Sequence, residues 1–372
     1  MSPTDVAILG AGPAGAVCAW ALARAGVSVL LLDKADFPRD KPCGGGVSPQ
    51  IARWLPFDFS PAISLRPSRV RFTWKATEDA VDLDLGRDLL WMVRRPIFDQ
   101  LLVDQARAVG ASVAFGASVQ GLQRKGGGWE VTTAQGPHHA RFVVAADGAL
   151  GLGARLLGLR PATRALAGAI EAESPVPPVD PATVHLDFGT VKAGYLWNFP
   201  KADGQSCGIG VFRGKPEGSL DAKLDGYLRS FGLHLDQCHR VAHPILLWDG
   251  DRPLHTEGAL VIGEAAGVVD PLTAEGIRPA IWSGLKAAEA LQAALGGAEL
   301  AAYSRTMATT WGEDMRWSRR LARAFYAAPE LAWRVAVKHP SGPRIMAQVL
   351  MGETTYRETA SRALRKLTLG WT

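Results

Sequence analysis

The 372-residue chain is predicted to adopt an α/β (α+β) fold, in which a unit built on a parallel sheet is interrupted by a mostly antiparallel sheet and closed by C-terminal helices. Three observations predict it. Gly10, Gly12 and Gly15 stand between two short apolar runs at the start of the chain. Glycine–acid pairs recur at Asp147-Gly148 and Gly263-Glu264. Between those pairs, residues 165–248 read as a run of strands.

The first unit reads as βαβ. Residues 6–9 are a β-branched and aliphatic strand, residues 10–15 the turn, residues 14–25 a helix and residues 28–32 a second strand. One glycine allows the tight turn, one lets the backbone approach a pyrophosphate, and one lets helix and strand pack closely. The helix N-terminus then presents free N–H groups and a partial positive charge to the phosphates. Asp33 ends the second strand 18 residues after Gly15, near the roughly 20-residue spacing expected of a carboxylate on a ribose hydroxyl. With strand, helix and acid in register this is a Rossmann-like dinucleotide site. Together with the two later pairs, it says that the chain wraps one FAD.

The remaining elements follow in order. Residues 66–74 and 80–85 alternate as antiparallel strands, residues 95–108 form a helix, and 112–115, 129–133 and 142–145 are short strands. Val184, Leu186 and Phe188 alternate, and strands at 195–199 and 207–212 follow. Residues 260–262 return to a buried strand before a helix at 276–295. The FAD-binding domain is therefore expected to be discontinuous, over 1–65, 95–160 and 255–300. An antiparallel substrate domain takes 66–94 and 161–254, and a helical region takes 301–372.

Composition narrows the function classes. Hydrophobic content of 47% and charged content of 21% suit a soluble globular chain. Residues 6–23 carry no charge, but Pro13 and three glycines make a poor membrane helix. Too few residues precede the first strand for a leader peptide. Cys18, Cys43, Cys207 and Cys238 form no CxxC pair, so neither a disulfide framework nor a metal site is expected; a reducing, cytoplasmic location and a monomer are. From Glu313 onward there are 11 Lys/Arg against 5 Asp/Glu, which holds all of the net charge of +5. Arg316, Arg319, Arg320 and Arg323 interleave with Trp317, Leu321, Ala324 and Phe325 at helical spacing. Either this is a solvated face docked on the body, or it makes peripheral contact with anionic lipid or a diphosphate. No nucleic-acid recognition module is present.

Four segments carry a resemblance: residues 10–15; Pro42, Cys43, Gly44, Gly45 and Gly46; residues 195–201, reading Tyr-Leu-Trp-Asn-Phe-Pro-Lys; and Gly263 through Gly276 and Ile277. The chain resembles the FAD-dependent geranylgeranyl reductase family, within the flavoproteins shaped like para-hydroxybenzoate hydroxylase, over nearly its whole length. The resemblance implies FAD contacts from Gly10, Gly12, Pro13, Ala14, Gly15, Asp33 and Lys34. It adds Cys43, Gly44 and Gly45 beside the isoalloxazine, Arg95 near the cofactor, and Asp147 and Gly148. Late contacts come from Gly263, Glu264, Gly267, Pro271, Gly276 and Ile277. Three positions depart from the family's pattern: Glu264 stands for aspartate, Ala274 for glycine and Gly151 for serine.

Cys43 is either a small residue in a glycine loop or a proton donor held against a flat ring, since a free thiol is mostly protonated near neutrality. Tyr195 is the other expected proton source. Tyr195, Trp197 and Phe199 are spaced by two, so they share one sheet face that either packs a core or touches a polyprenyl chain. Lys201 and Arg278 are either surface charges or a rim for a diphosphate or phospholipid head. The histidines show no metal spacing and read as structural.

The expected activity is reduction of carbon–carbon double bonds in a polyprenyl substrate by hydride from reduced FAD. Without a second glycine turn, the electron donor is a visiting NAD(P)H or a ferredoxin-like protein. The alternatives are a flavin monooxygenase or halogenase on the same scaffold, and a non-catalytic FAD- or lipid-binding protein.

Overall fold

The computed structural model describes residues 4–77, 79–161 and 164–369. Its first sheet has a parallel core in the order Ala259–Val261, Gly136–Ala145, Thr4–Leu9, Val29–Leu32, Ser112–Ala114. Val6, Ala7, Ile8 and Leu9 are all buried, as expected of a parallel strand covered on both faces. The helices Pro13–Arg24 and Ile277–Leu295 pack against each other closely enough that a Cβ at Gly284 would lie 2.4 Å from the Ala14 carbonyl oxygen. Residues 6–23, the uncharged stretch, are thus a strand and a buried helix. No described helix is long and apolar enough to cross a membrane.

The second sheet has seven strands, in the order His239–Leu246, Leu166–Ser174, Gly204–Val211, Gly194–Lys201, Thr183–Phe188, Arg69–Trp74, Ala80–Asp84. All neighbours are antiparallel except Thr183–Phe188 with Arg69–Trp74. The strand run expected over 165–248 needs one correction: it contains the helix Leu220–Arg229. Ser219 caps it by accepting from the Ala222 N–H, and Leu224, Tyr227 and Leu228 bury its inner stripe against one face of the sheet.

The C-terminal helices cover part of the other face. Trp333 is buried against Trp74 and Phe188, and Phe325 meets Phe188 at 5.4 Å between centroids. Three basic residues of these helices dock on the body and a fourth pairs within the helical region. Arg316 pairs with Asp251, Arg319 donates to the Asp249 carbonyl, Lys338 pairs with Asp79 and Arg357 with Glu313. Arg320 and Arg323 stay exposed, with Arg320 over the Trp317 ring.

Candidate active site

A cavity of about 1150 Å³ runs from the first glycine turn to the C-terminal helices. At its cofactor end the three glycines have distinct geometries. Gly10 has φ +108°, and a Cβ there would lie 2.5 Å from the Ala146 carbonyl oxygen. A Cβ at Gly15 would lie 1.9 Å from the Gly10 carbonyl oxygen, so Gly15 sets the helix–strand spacing. Gly12 faces the cavity, where a Cβ would meet only Arg39 Nη2, at 3.6 Å.

Two helices begin at this end, after Gly12 and after Gly276, and neither has a side-chain cap. Their first N–H groups are free to bind an anion. Asp33 accepts from the Ala11 and Ala35 N–H groups at 2.7 and 2.9 Å and faces Arg39. Arg39 also reaches Asp99, which holds Arg95 in a bidentate pair at 2.7 and 2.8 Å. Asp147 accepts from the Gly153 N–H at 2.8 Å, while its buried Oδ1 has no partner among the described residues. Burial pushes this carboxyl upward. Uncapped helix ends, an open glycine face and an orphaned acceptor together fit a dinucleotide with a diphosphate and a hydroxyl to donate.

Residues 42–46 cross the middle of the cavity. Cys43 lines it, its Sγ accepting from the Gly45 N–H at 3.4 Å and lying beside the Arg95 guanidinium. The loop lies directly on the strand below. A Cβ at Gly44 would lie 2.9 Å from Phe199, and one at Gly45 would lie 2.2 Å from the Val93 carbonyl oxygen. Beyond the loop the walls become apolar, with Ala169, Leu186, Phe188, Trp197, Phe325 and Met346 contributed by three strands and two C-terminal helices. The Trp197 indole lies over Gly208, whose Cβ would be 2.1 Å from the ring. Tyr195 Oη donates to the Thr273 carbonyl, and burial pushes its phenol upward.

Most of the expected site residues line this cavity: Gly10, Gly12, Pro13, Ala14, Asp33, Lys34, Cys43, Gly44, Gly45, Arg95, Asp147, Gly148, Glu264, Gly276, Ile277, Tyr195, Trp197 and Phe199. Gly15, Gly263, Gly267 and Pro271 are buried and do not line it. Lys201 and Arg278 need correcting, because neither rims the cavity. Lys201 is fully buried and donates to the Gly44 carbonyl at 2.6 Å. Arg278 is locked to Glu275 at 2.7 Å and to Gln50 at 3.2 Å. The sequence reading missed Arg39, and it missed His243, which lines the cavity with an Nδ1 that has no partner among the described residues and is lowered to about 4 by burial, Lys41 and Arg95.

Residues 3–191 match the family described as FAD binding domain. The digeranylgeranylglycerophospholipid reductase of Methanocaldococcus jannaschii is 31% identical over 78% of this chain and 77% of its own length. The geranylgeranyl diphosphate reductase of Rhodobacter capsulatus is 31% identical over 78% of this chain and 75% of its own. The chain belongs to the FAD-dependent geranylgeranyl reductase family. It is an FAD-dependent oxidoreductase. In fold it is similar to a geranylgeranyl bacteriochlorophyll reductase-like protein of Thermoplasma acidophilum (TM-score 0.78, 23% identity, 87% of each chain). It is also similar in fold to a flavin-dependent brominase (TM-score 0.76, 20% identity, 98% of this chain and 100% of the other).

The departures of this geranylgeranyl reductase family member have local explanations. Glu264 Oε1 accepts from the Leu246 N–H at 3.2 Å and Oε2 faces Lys41 at 3.8 Å, so the longer acid ties the cavity floor to a neighbouring strand. A Cβ at Gly151 would lie 2.1 Å from Asp147 Cγ; glycine lets that carboxylate fold beneath the turn. Ala274 has φ +56°, a left-handed conformation that costs an L-residue about 1–2 kcal/mol.

Proposed function

We propose that the protein reduces carbon–carbon double bonds in a polyprenyl chain. The carrying observation is the continuity of one cavity from the dinucleotide turns, past Cys43, into an apolar trough. FAD, once reduced, supplies the hydride. The residues of the chain orient the alkene, exclude water and deliver the one proton that accompanies the hydride. Trp197, Phe188 and Phe325 offer an aromatic wall to an isoprenoid. Tyr195 directs its hydroxyl to Thr273 and serves as part of that wall, which leaves Cys43 as the proton donor. The electron donor is NAD(P)H or a ferredoxin-like protein.

The apolar trough reaches the surface between the C-terminal helices, where Leu321, Leu331 and Val335 line the cavity and are exposed. Arg320, Arg323 and Arg344 are exposed on the same helices. This supports entry of the chain from an anionic lipid surface.

The test is anaerobic turnover of chemically reduced holoprotein with a geranylgeranyl substrate, read by product mass. A gain of two hydrogens per double bond is expected. Products that gain oxygen or halogen, and form only in air, would replace this reading with an oxygenase or halogenase.

A further inference from the structure

The strand Gly194–Lys201 turns Tyr195, Trp197, Phe199 and Lys201 to one face, three aromatic rings and then a cation. The rings meet the cavity. Lys201 is 1% exposed beneath residues 42–46, and its ammonium donates to the Gly44 carbonyl at 2.6 Å with Met92 Sδ at 4.0 Å. The acids that face it are engaged elsewhere, Glu173 with Arg94 and the buried Glu171 with Ser206. Burial pulls the ammonium down to about 8, which leaves it charged at neutral pH. A buried cation with no carboxylate of its own is costly unless it is used.

The loop above shows the use. Its peptide units are held one by one from below: the Cys43 N–H faces the Glu171 carboxyl, and the Gly45 carbonyl accepts from the Val93 N–H at 2.8 Å before Gly46 pairs with Met92. Between these two anchors, the Gly44–Gly45 peptide has Lys201 on its oxygen, while its N–H donates to Cys43 Sγ at 3.4 Å. A peptide between two glycines meets few steric limits, and Gly45 has φ +70°. Turned over, it would present its oxygen rather than its N–H to the sulfur. An ammonium on that oxygen opposes the turn, and it polarises the same peptide so that the N–H becomes a stronger donor.

We infer that Lys201 is a positioning residue for Cys43: it locks the Gly44–Gly45 peptide with its oxygen inward, so that the Gly45 N–H holds the sulfur in the cavity. The inference rests on the proposed alkene reduction. In each cycle the alkene gains a hydride from reduced FAD and a proton from the Cys43 thiol, so two C–H bonds replace the π bond. The sulfur is left as a thiolate, which accepts from the Gly45 N–H and lies beside the Arg95 guanidinium until solvent returns its proton. No further oxidant or reductant enters. Lys201 does not line the cavity and acts only through the peptide it holds.

The test is Lys201→Met, which keeps an unbranched stem and removes the charge without stranding a paired acid, a change that is often neutral for stability. It has two readouts. In a crystal structure of the variant holoprotein the Gly44–Gly45 peptide should be turned over, with FAD content and the melting transition unchanged. In turnover, kcat for alkene reduction should fall about 10–10²-fold at unchanged KM, less than loss of the proton donor itself. The same substitution made in Cys43→Ala should change kcat by less than about twofold, because its route to the alkene is already gone. A peptide that keeps its wild-type orientation in Lys201→Met would overturn the lock, as would losses that multiply in the double variant. A wild type that reduces no alkene, beside a turned peptide in the variant, would instead overturn the proposed reaction.

Discussion

The two ends of the cavity are made of different material. The cofactor end is built from main chain: positive-φ glycines at 10 and 148, two uncapped helix starts and the N–H groups around Asp33. The apolar end is built from side chains such as Ala169, Leu186, Trp197, Phe325 and Met346, far apart in sequence. Backbone turns bind what every member of a flavoprotein group shares, whereas side chains can be exchanged one at a time to suit a different substrate. Substitutions at the two ends should therefore separate cofactor loss from substrate loss.

Gly12→Val should have the largest effect. Its side chain enters open cavity rather than protein, so FAD and all flavin chemistry should be lost while circular dichroism and the melting transition persist. Gly15→Val, which drives a Cβ into the Gly10 carbonyl, should cost the fold as well. Identical behaviour of the two variants would erase the division of labour between the glycines. Next is Cys43→Ala, which should keep FAD and slow alkene reduction by about 10²–10⁴-fold, measured by single-turnover reoxidation of the reduced holoprotein.

Smaller effects sharpen the picture at the mouth and behind the wall. Arg320→Gln and Arg323→Gln should each weaken binding to anionic vesicles at low salt by about fivefold, the equivalent of about 1 kcal/mol per basic residue near the surface. Equal recovery on neutral and anionic vesicles would leave these arginines as a solvated face. Ala274→Gly should raise the stability by about 1 kcal/mol, seen as a higher urea midpoint with an unchanged slope, because it relieves a left-handed alanine. No gain would show that the turn from 270 to 276 already bears its conformation without strain.

The cofactor end was legible in the sequence because positive φ and close backbone approach demand glycine at fixed local spacings. The face shared by Tyr195, Trp197 and Phe199 was legible from the pleat. What covers Lys201 was not, since the loop above it lies more than 150 positions earlier in the chain. Arg278 was misplaced because its guanidinium is held between Glu275, one turn away, and Gln50, which is distant in sequence. His243 and Glu171 gave no local signal: each sits in a strand whose neighbours are brought together only by the sheet register. The helix Leu220–Arg229 was hidden by its shortness and by the strand pattern on either side.

The claim that joins these parts is that cofactor and polyprenyl chain share one space. Ala169 sits in the floor of the trough, and Ala169→Trp would fill it without touching a glycine turn. Titrating the oxidised holoprotein with a geranylgeranyl lipid, and following the flavin absorption bands, tests that claim directly. A saturable spectral shift is expected in the wild type, and in Ala169→Trp none, with its FAD content unchanged. Flavin bands that ignore the lipid in the wild type, or respond equally in both proteins, would contradict it.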